Sequence, residues 1–186
     1  MKRILILIIT LSLLTSINVV MAQTYNVDPS RTTIQFKVKN MGLMNVRGVF
    51  EKFKGTVDID ATDITKSKVD VSIDTASINT GINMRDNHLR SPDFLDVAKF
   101  PTMAFVSTKF ELGADKDKLK VTGNLTIKGV TKQIVLITEN PKSPLKDLRL
   151  GTSATTSVNR QDFGVSWGAV IADEVFITIN AELVKQ

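Results

Sequence analysis

The sequence is poor in the residues that carry most enzyme chemistry. It contains no cysteine and a single histidine, His88, among 186 residues. Without cysteine there are no disulfides and no thiolate ligands, and one histidine falls short of the three or four ligands of a zinc site. A Ser-His-acid triad would have to use His88, and no Gly-x-Ser-x-Gly turn supplies its nucleophile. We therefore predict a protein that is not an enzyme, with no catalytic residues, no metal site and no cofactor.

The sequence contains no long run of charged residues of one sign. Lys and Arg number 24 against 19 Asp and Glu, for a formal net charge of +5, and the two signs are interspersed along the chain. A nucleic-acid site gathers its basic side chains on one face or one element. The pattern is typical of a solvated surface, and we expect no nucleic-acid partner.

The first 22 residues have the pattern of a secretory signal peptide. Lys2 and Arg3 precede an apolar run at residues 4–9, and Val20-Met21-Ala22 fits the small-x-small requirement of a signal peptidase. The alternative is a membrane anchor, but Ser, Thr and Asn in the second half break up the roughly 20 apolar residues that a span needs. We predict cleavage before Gln23, one domain over residues 23–186, no membrane span after cleavage, and a periplasmic or secreted bacterial protein.

The rest of the sequence alternates between apolar and polar residues with a period of two, which is typical of half-buried β-strands. Ile34, Phe36 and Val38 alternate with polar residues, for example, and the parity slips once, at residues 51–52, which predicts a β-bulge. Eight strands are predicted, at about residues 34–38, 46–59, 69–73, 102–112, 119–127, 133–138, 148–158 and 175–183.

These strands have no set of helices to cover their apolar face, so the sheet must bury that face against itself. Closure into an eight-stranded antiparallel barrel achieves this and removes the exposed edges. The interior of such a barrel either fills with side chains or holds one small ligand. A two-sheet sandwich is the alternative architecture.

One segment, residues 82–96, departs from the strand pattern. Met84 and His88 are four residues apart, and so are Arg85 and Leu89, as on one face of a helix. Ser91, followed by proline and aspartate, has the composition of a helix start. We predict one or two short helical turns across one mouth of the barrel.

The aromatic and methionine residues are the candidates for a ligand cavity. Methionine is flexible and polarisable and suits a pocket for a variable apolar ligand, although any single residue of this kind is more often ordinary core. The residues predicted to line the cavity or its mouth are Phe36, Val38, Met41, Met44, Phe50, Met84, Leu89, Phe105, Phe163 and Trp167.

The helical segment also carries a charged cluster with two interpretations. Arg85 and Arg90 are candidates for a polar head group, because a guanidinium group matches phosphate bidentately. The other interpretation, which we favour, is a local network of ion pairs and caps that fixes the helical segment, with His88 as a hydrogen-bonding partner.

The sequence resembles the YceI-like family of lipid- and polyisoprenoid-binding proteins over Tyr25 to about Lys185. Six motifs carry the resemblance in order, and they are Tyr25-Asn-Val-Asp28-Pro29 with Ile34-Gln-Phe36, Val46-Arg-Gly48-Val-Phe50 with Phe53-Lys-Gly55, Met84-Arg85-Asp86-Asn-His88-Leu89-Arg90, Phe100-Pro101, Gly123-Asn-Leu125-Thr126-Ile127, and Arg160-Gln-Asp162-Phe163-Gly164.

The resemblance implies a lipocalin-like barrel, exported from the cytoplasm, with a tunnel for a polyisoprenoid, an isoprenoid quinone or a fatty-acyl compound. Arg31 and Asn40 stand where family members often have histidine, so a role of those histidines does not carry over. We expect a carrier or buffer of such a lipid. A structural or stress-related envelope barrel without ligand and a lipid-modifying enzyme are the alternatives, and the sequence leaves open a homodimer.

Overall fold

The computed structural model of the protein describes residues 22–115, 117–139 and 148–186. The strands in these ranges are β1 Gln23–Val27, β2 Thr33–Asn40, β3 Met44–Phe50, β4 Phe53–Ile59, β5 Lys68–Asp74, β6 Ile78–Asn79, β7 Thr102–Leu112, β8 Lys118–Ile127, β9 Val130–Glu139, β10 Arg149–Asn159 and β11 Ile171–Lys185. One α-helix, α1 Asn83–Arg90, and three 3-10 turns accompany them. The predicted signal peptide lies outside the described residues, except for Ala22.

The strands close into an antiparallel barrel, which confirms the predicted architecture over the sandwich. Neighbouring strands pair in the order β1-β4-β5-β7-β8-β9-β10-β11, and β11 pairs back onto β1. That last pairing, with Tyr25 opposite Lys185 and Val27 opposite Leu183, closes a ring of eight strands. The sheet therefore has one inner face, to which every second side chain of each strand points.

Three of the eight strands of the ring are interrupted, and each of these is therefore made of two of the elements named above. β1 and β2 both pair with β11, β3 and β4 are separated only by residues 51–52, and β6 continues β5 after a 3-10 turn. The interruption at residues 51–52 is the predicted slip of parity, since Phe50 and Phe53 both line the interior. An irregularity of this kind bends a strand and increases its twist, as a small closed barrel requires.

The two ends of the barrel are built differently. At one end, which we call the termini end, the connection at residues 60–67 lies on the side of Gln23, which pairs with Ile59, and of Lys185. At the other, the α1 end, the turn at residues 41–43, the long segment 75–101 and the loop 160–170 come together. Lys128 ties two of these pieces, because its ammonium group donates to the carbonyl oxygens of Pro92 (3.0 Å) and Gly164 (3.3 Å).

The helical segment is confirmed at residues 83–90, but the helix start predicted at Ser91 is wrong. Ser91 ends α1, where both its backbone N–H and its hydroxyl donate to the carbonyl oxygen of His88. The proline that follows disfavours helical backbone at the residue before it, and Ser91 is accordingly extended (φ −72°, ψ 169°). Residues 92–99 then run in turns towards β7.

No helix among the described residues is long and apolar enough to cross a membrane.

Candidate ligand-binding cavity

The barrel encloses a cavity of about 490 Å³. All eight strands of the ring contribute inward-facing side chains to its wall, which is overwhelmingly aliphatic and aromatic. Its volume lies within the roughly 300–1,000 Å³ typical of small-molecule sites. Residues of the wall include Ile34, Phe36, Val38, Val46, Phe50, Val71, Phe105, Val121, Leu125, Leu136, Val158 and Ile177.

Two glycines make room for the phenylalanine rings of the wall. Gly48 lies opposite Phe36 on the neighbouring strand, and a Cβ atom at residue 48 would come within 2.5 Å of the Phe36 ring. Gly123 lies opposite Ser107 and diagonal to Phe105, and a Cβ atom at residue 123 would come within 2.4 Å of the Phe105 ring. The two glycines therefore leave room for both phenylalanine rings in the wall.

One part of the termini end of the cavity is closed by packed side chains. Tyr25, Ile59, Leu150 and Leu183 form one cluster that is almost completely buried. This cluster lies between β1, β4, β10 and β11, which make up half of the ring.

The cavity wall has polar residues at both ends. Thr32, Ser67, Thr138, Glu139 and Thr152 line it towards the termini end, and Asn40, Arg85, His88 and Arg160 line it at the α1 end. The side-chain oxygen of Asn40 is buried and has no hydrogen-bond partner. Because a buried acceptor without a partner costs free energy, this oxygen is suited to accept a hydrogen bond from a ligand.

Arg85 is held in place by Thr80. Its Nε donates to the Thr80 hydroxyl (2.7 Å) and its Nη2 to the Thr80 carbonyl oxygen (2.9 Å). Asp86, only 3% exposed, accepts from the backbone N–H (2.9 Å) and the hydroxyl of Thr80. These three residues fasten the beginning of α1 to the end of β6, and the guanidinium group of Arg85 still reaches the cavity wall.

His88 lies in an aromatic cluster at the mouth. Its ring is 5.0 Å from Phe94 and 4.5 Å from Trp167, both edge-on, and its Nε2 is 2.9 Å from a carboxylate oxygen of Asp93. The contact with Asp93 orients the imidazole, and the two aromatic rings hold it between α1 and the loop 160–170.

Arg160 is a structural group despite its place on the cavity wall. Its guanidinium group donates to the carbonyl oxygens of residues 165, 167, 168, 171 and 172 and lies 3.2 Å from a carboxylate oxygen of Asp173. One buried cation therefore satisfies the carbonyl groups of a loop that has no regular structure. This arrangement fixes Trp167 and Val165 over the barrel.

The sequence profile of the YceI-like domain matches residues 25–183. The chain belongs to the YceI-like family. It is 33% identical over 192 aligned residues to protein YceI of Escherichia coli O6:H1, with all of each chain covered. Its fold is similar to that of BcnA from Burkholderia cenocepacia (TM-score 0.77, 25% identity, covering 84% of this chain and 98% of that one). It is also similar to that of a polyisoprenoid-binding domain from Saccharophagus degradans (TM-score 0.68, 17% identity, covering 89% and 99%).

Seven of the ten residues predicted for the apolar pocket lie on the wall of the YceI-like cavity. Phe163 and Trp167 are among them, although they come from an irregular stretch where alternation gives no guide. Whether these side chains contact a ligand stays a prediction. The seven are Phe36, Val38, Phe50, Leu89, Phe105, Phe163 and Trp167.

Met41, Met44 and Met84 do not lie on the cavity wall, and all three are exposed. Met41 stands in the turn between β2 and β3 with a positive φ of 53°. Met44 begins β3 opposite Asn40, at the edge of the mouth, and Met84 lies in the first turn of α1. The prediction placed these three methionines near the mouth, and whether they contact a ligand stays a prediction.

Of the two head-group candidates, the structure brings only Arg85 to the cavity. Arg90 is not on the wall, because its Nε donates to the carbonyl oxygen of Ala76 (2.7 Å) and its Nη2 to that of Ile78 (2.6 Å). The favoured interpretation of the charged cluster, a network that fixes the helical segment, describes Arg90 and Asp86 well. Asn40 was missed as a site residue, because only the fold shows that its oxygen is buried without a partner.

Proposed function

We propose that this YceI-like protein is an exported binding protein that holds a long-chain apolar lipid inside its barrel. The observation that carries the proposal is the cavity of about 490 Å³ with a continuous aliphatic and aromatic wall. A cavity lined in this way does not hold water well, because water needs two to four polar partners.

The energetic cost of an empty interior supports a bound ligand. Residual cavities in protein cores cost about 24 cal/mol per Å³, so 490 Å³ corresponds to a penalty on the order of 10 kcal/mol. That is comparable with the entire stability of a typical domain, about 5–15 kcal/mol. A ligand that fills the space replaces the missing contacts.

The distribution of polarity along the cavity indicates the class of ligand. The walls are mostly apolar, and Arg85, whose guanidinium group suits a phosphate or carbonyl oxygen, lies with Asn40 and His88 at the α1 end, whereas Glu139 is the charged residue of the wall towards the termini end. A molecule with one long hydrocarbon chain and one polar end fits this arrangement, with its polar end at α1. Polyisoprenoids, isoprenoid quinones and fatty-acyl compounds have this form, and the structurally similar domain from Saccharophagus degradans is a polyisoprenoid-binding domain.

We propose a binding role and not catalysis for the charged residues at the mouth. A lipid-modifying enzyme would have to use His88, Asp86 and Arg85, and Asp86 is buried with its carboxylate committed to Thr80. The corresponding test is the fate of the bound lipid in a His88→Ala variant. Turnover that disappears with the imidazole would support the enzyme.

Export is proposed from residues 1–22, which fit a cleaved signal peptide. N-terminal sequencing of protein recovered from the bacterial periplasm or medium should begin at Gln23. Material that still begins with Met1-Lys2-Arg3 would contradict the proposal.

The lipid itself is tested by a matched pair of variants. Val38 lines the cavity, whereas Val106 is an exposed strand residue on the outside of β7. Val38→Trp should fold, at a cost of about 1–3 kcal/mol for overpacking, and lose most of its lipid. Val106→Trp should keep the wild-type amount. The measurement is mass spectrometry of an organic extract of each purified protein, normalised to protein.

Two results would count against an interior lipid. The first is an extract of wild-type protein that contains no lipid, which would support a structural envelope barrel. The second is a folded Val38→Trp variant that carries as much lipid as Val106→Trp, which would show that the lipid lies elsewhere on the protein.

A further inference from the structure

Large apolar side chains are exposed around the α1 end of the barrel. Leu43 is 91% exposed and Met84 is 84% exposed, and neither contributes to a core cluster. We call this set the apolar rim, and it consists of Met41, Leu43, Met44, Met84, Trp167 and Val170.

The apolar rim is one surface, although it comes from three segments of the chain. The backbone N–H of Met41 donates to the carbonyl oxygen of Val170 (2.8 Å), which joins the turn after β2 to the loop 160–170. The ring of Trp167 in that loop is 4.5 Å from His88 of α1, and Met84 lies one helical turn before His88. The three segments therefore lie side by side around the mouth.

The apolar rim is continuous with the cavity. Trp167 lines the interior and is also 47% exposed, so one side chain belongs to both surfaces. Asn40, the last residue of β2, lines the cavity immediately before the exposed turn begins at Met41. On the side of the mouth formed by Trp167, the apolar interior is therefore continuous with an apolar exterior, beside the polar groups of Asn40 and His88.

The backbone conformation of the turn between β2 and β3 does not explain why its residues are apolar. Met41 and Gly42 both have positive φ values, 53° and 71°. Asn, Asp and Gly are the residues that adopt this conformation readily in hairpin turns, so methionine at residue 41 is unfavourable locally. Leu43, almost fully exposed, gains nothing from the fold. Exposed apolar groups of this size at the mouth of a cavity indicate a contact with something apolar.

The outer face of the same hairpin is basic. Lys37 and Lys39 on β2 and Arg47 on β3 are exposed, and Lys37 stands directly opposite Arg47. Like charges in that position destabilise a strand pair. None of the ion pairs formed between described residues includes these three side chains. The Nζ atom of Lys37 lies 5.0 Å from the centroid of the Phe176 ring. The arrangement complements a negatively charged surface.

We propose that the apolar rim docks the protein on a lipid bilayer that carries anionic head groups. The rim enters the interfacial region of the bilayer, and Lys37, Lys39 and Arg47 lie against the head groups. Apolar side chains beside basic ones are the composition of interfacial membrane contacts. The cavity mouth then faces the membrane, so a lipid can pass between bilayer and barrel without exposure to water. This inference rests on the proposed lipid-binding function.

Trp167 reports on docking directly, because it is the one tryptophan in the sequence. The experiment adds vesicles of phosphatidylcholine with about one third phosphatidylglycerol, a fraction chosen to give a clearly anionic surface, to purified mature protein. We expect a blue shift of the tryptophan emission, quenching by brominated acyl chains, and sedimentation of the protein with the vesicles.

The decisive comparison uses two pairs of exposed residues. The variant Leu43→Ser with Met84→Ser changes the rim, and the control Leu112→Ser with Leu148→Ser changes two other exposed apolar residues, at the termini end. The rim variant should bind vesicles at least about tenfold more weakly, given the transfer free energy of two such side chains. The control should bind like wild type. Lys39→Glu should weaken binding to anionic vesicles and leave binding to pure phosphatidylcholine unchanged.

Three outcomes would overturn the proposal. One is wild-type protein that neither shifts its emission nor sediments with anionic vesicles. Another is equal binding by the rim variant and the control. The third is gel filtration without vesicles that shows a wild-type dimer and a monomeric rim variant, which would assign the rim to a second copy of the chain.

Failure of docking and failure of lipid binding can be told apart. The amount of lipid extracted from the rim variant reports on the cavity, whereas its vesicle binding reports on the rim. If the protein binds vesicles but contains no extractable lipid, the membrane contact is supported and the proposed lipid-binding function is contradicted.

Discussion

The two ends of this barrel differ in the side chains that they bury, although large apolar side chains are exposed at both ends. At the termini end, Tyr25 and Leu150 are fully buried, and charged groups such as Arg149 lie on the surface. At the α1 end, Leu43 and Met84 are exposed, and the buried groups include the charged residues Asp86 and Arg160. The same strands, with the same alternation, run through both ends. The difference therefore arises in the connections and not in the sheet.

This contrast indicates which end admits a ligand. A seal made of close-packed side chains opens only when the fold is disrupted, because interiors are packed as densely as organic crystals. The α1 end is closed by a helix, turns and a loop, which pack on a second buried apolar cluster of Ile78, Phe94, Leu95 and Val165 and are also held by polar contacts to backbone carbonyl groups. Such contacts can be released locally at a smaller cost than the core. We expect stability to reside at the termini end and ligand exchange at the α1 end.

The largest effect should follow from opening the seal. Leu150→Ala removes a side chain that is 0% exposed, so it should lower the free energy of unfolding by about 2–5 kcal/mol. Leu89→Ala removes a partly buried side chain at the α1 end, so it should lower the free energy of unfolding clearly less. The measurement is urea denaturation of lipid-free protein. Equal losses in the two variants would contradict the assignment of stability to the termini end.

A smaller effect should follow from releasing α1. Arg85→Ala removes both donors to Thr80, and the loss should be on the order of 1–3 kcal/mol because the Thr80 carbonyl and hydroxyl oxygens each lose a hydrogen bond. The melting temperature should fall for lipid-free and lipid-loaded protein alike. If only the affinity for lipid falls and the lipid-free protein melts as before, Arg85 acts on the head group. Arg85→Lys, which keeps the charge and loses the planar fork, separates the two roles further.

The sequence predicted the sheet well and the connections poorly, for physical reasons. Alternation of period two is a local property of a strand, so residues 102–112 coincide with β7 and the slip at residues 51–52 is found where expected. The ends of elements depend on tertiary contacts. Ser91 has the composition of a helix start, but the residue before a proline is driven out of helical backbone, and it ends α1 instead.

The candidate site shows the same division. Phe36, Val38, Phe50 and Phe105 lie on strands, and their inward direction follows from parity. Met41 lies in a turn, where parity has no meaning, and it is exposed. Arg160 could not be assigned from the sequence, because its partners are backbone carbonyl groups that any residues could provide.

The smallest effect concerns the charged surface of the termini end. A hydrogen bond from the Ser30 side chain, followed by one from Arg149 (3.0 Å), holds the pKa of Asp28 below its ordinary value of 3.8. A carboxyl group whose pKa is lower in the folded state stabilises the fold at pH values above its unfolded pKa, and that contribution is lost as the pH falls through the folded pKa. Asp28→Asn should therefore lower the stability slightly at pH 7, and the difference from wild type should vanish with acidification below pH 3.8. Thermal melts at a series of pH values measure it, with Arg149→Gln as the partner variant. An Asp28→Asn deficit that is independent of pH would show that the side chain acts by its hydrogen-bonding shape and not by its charge.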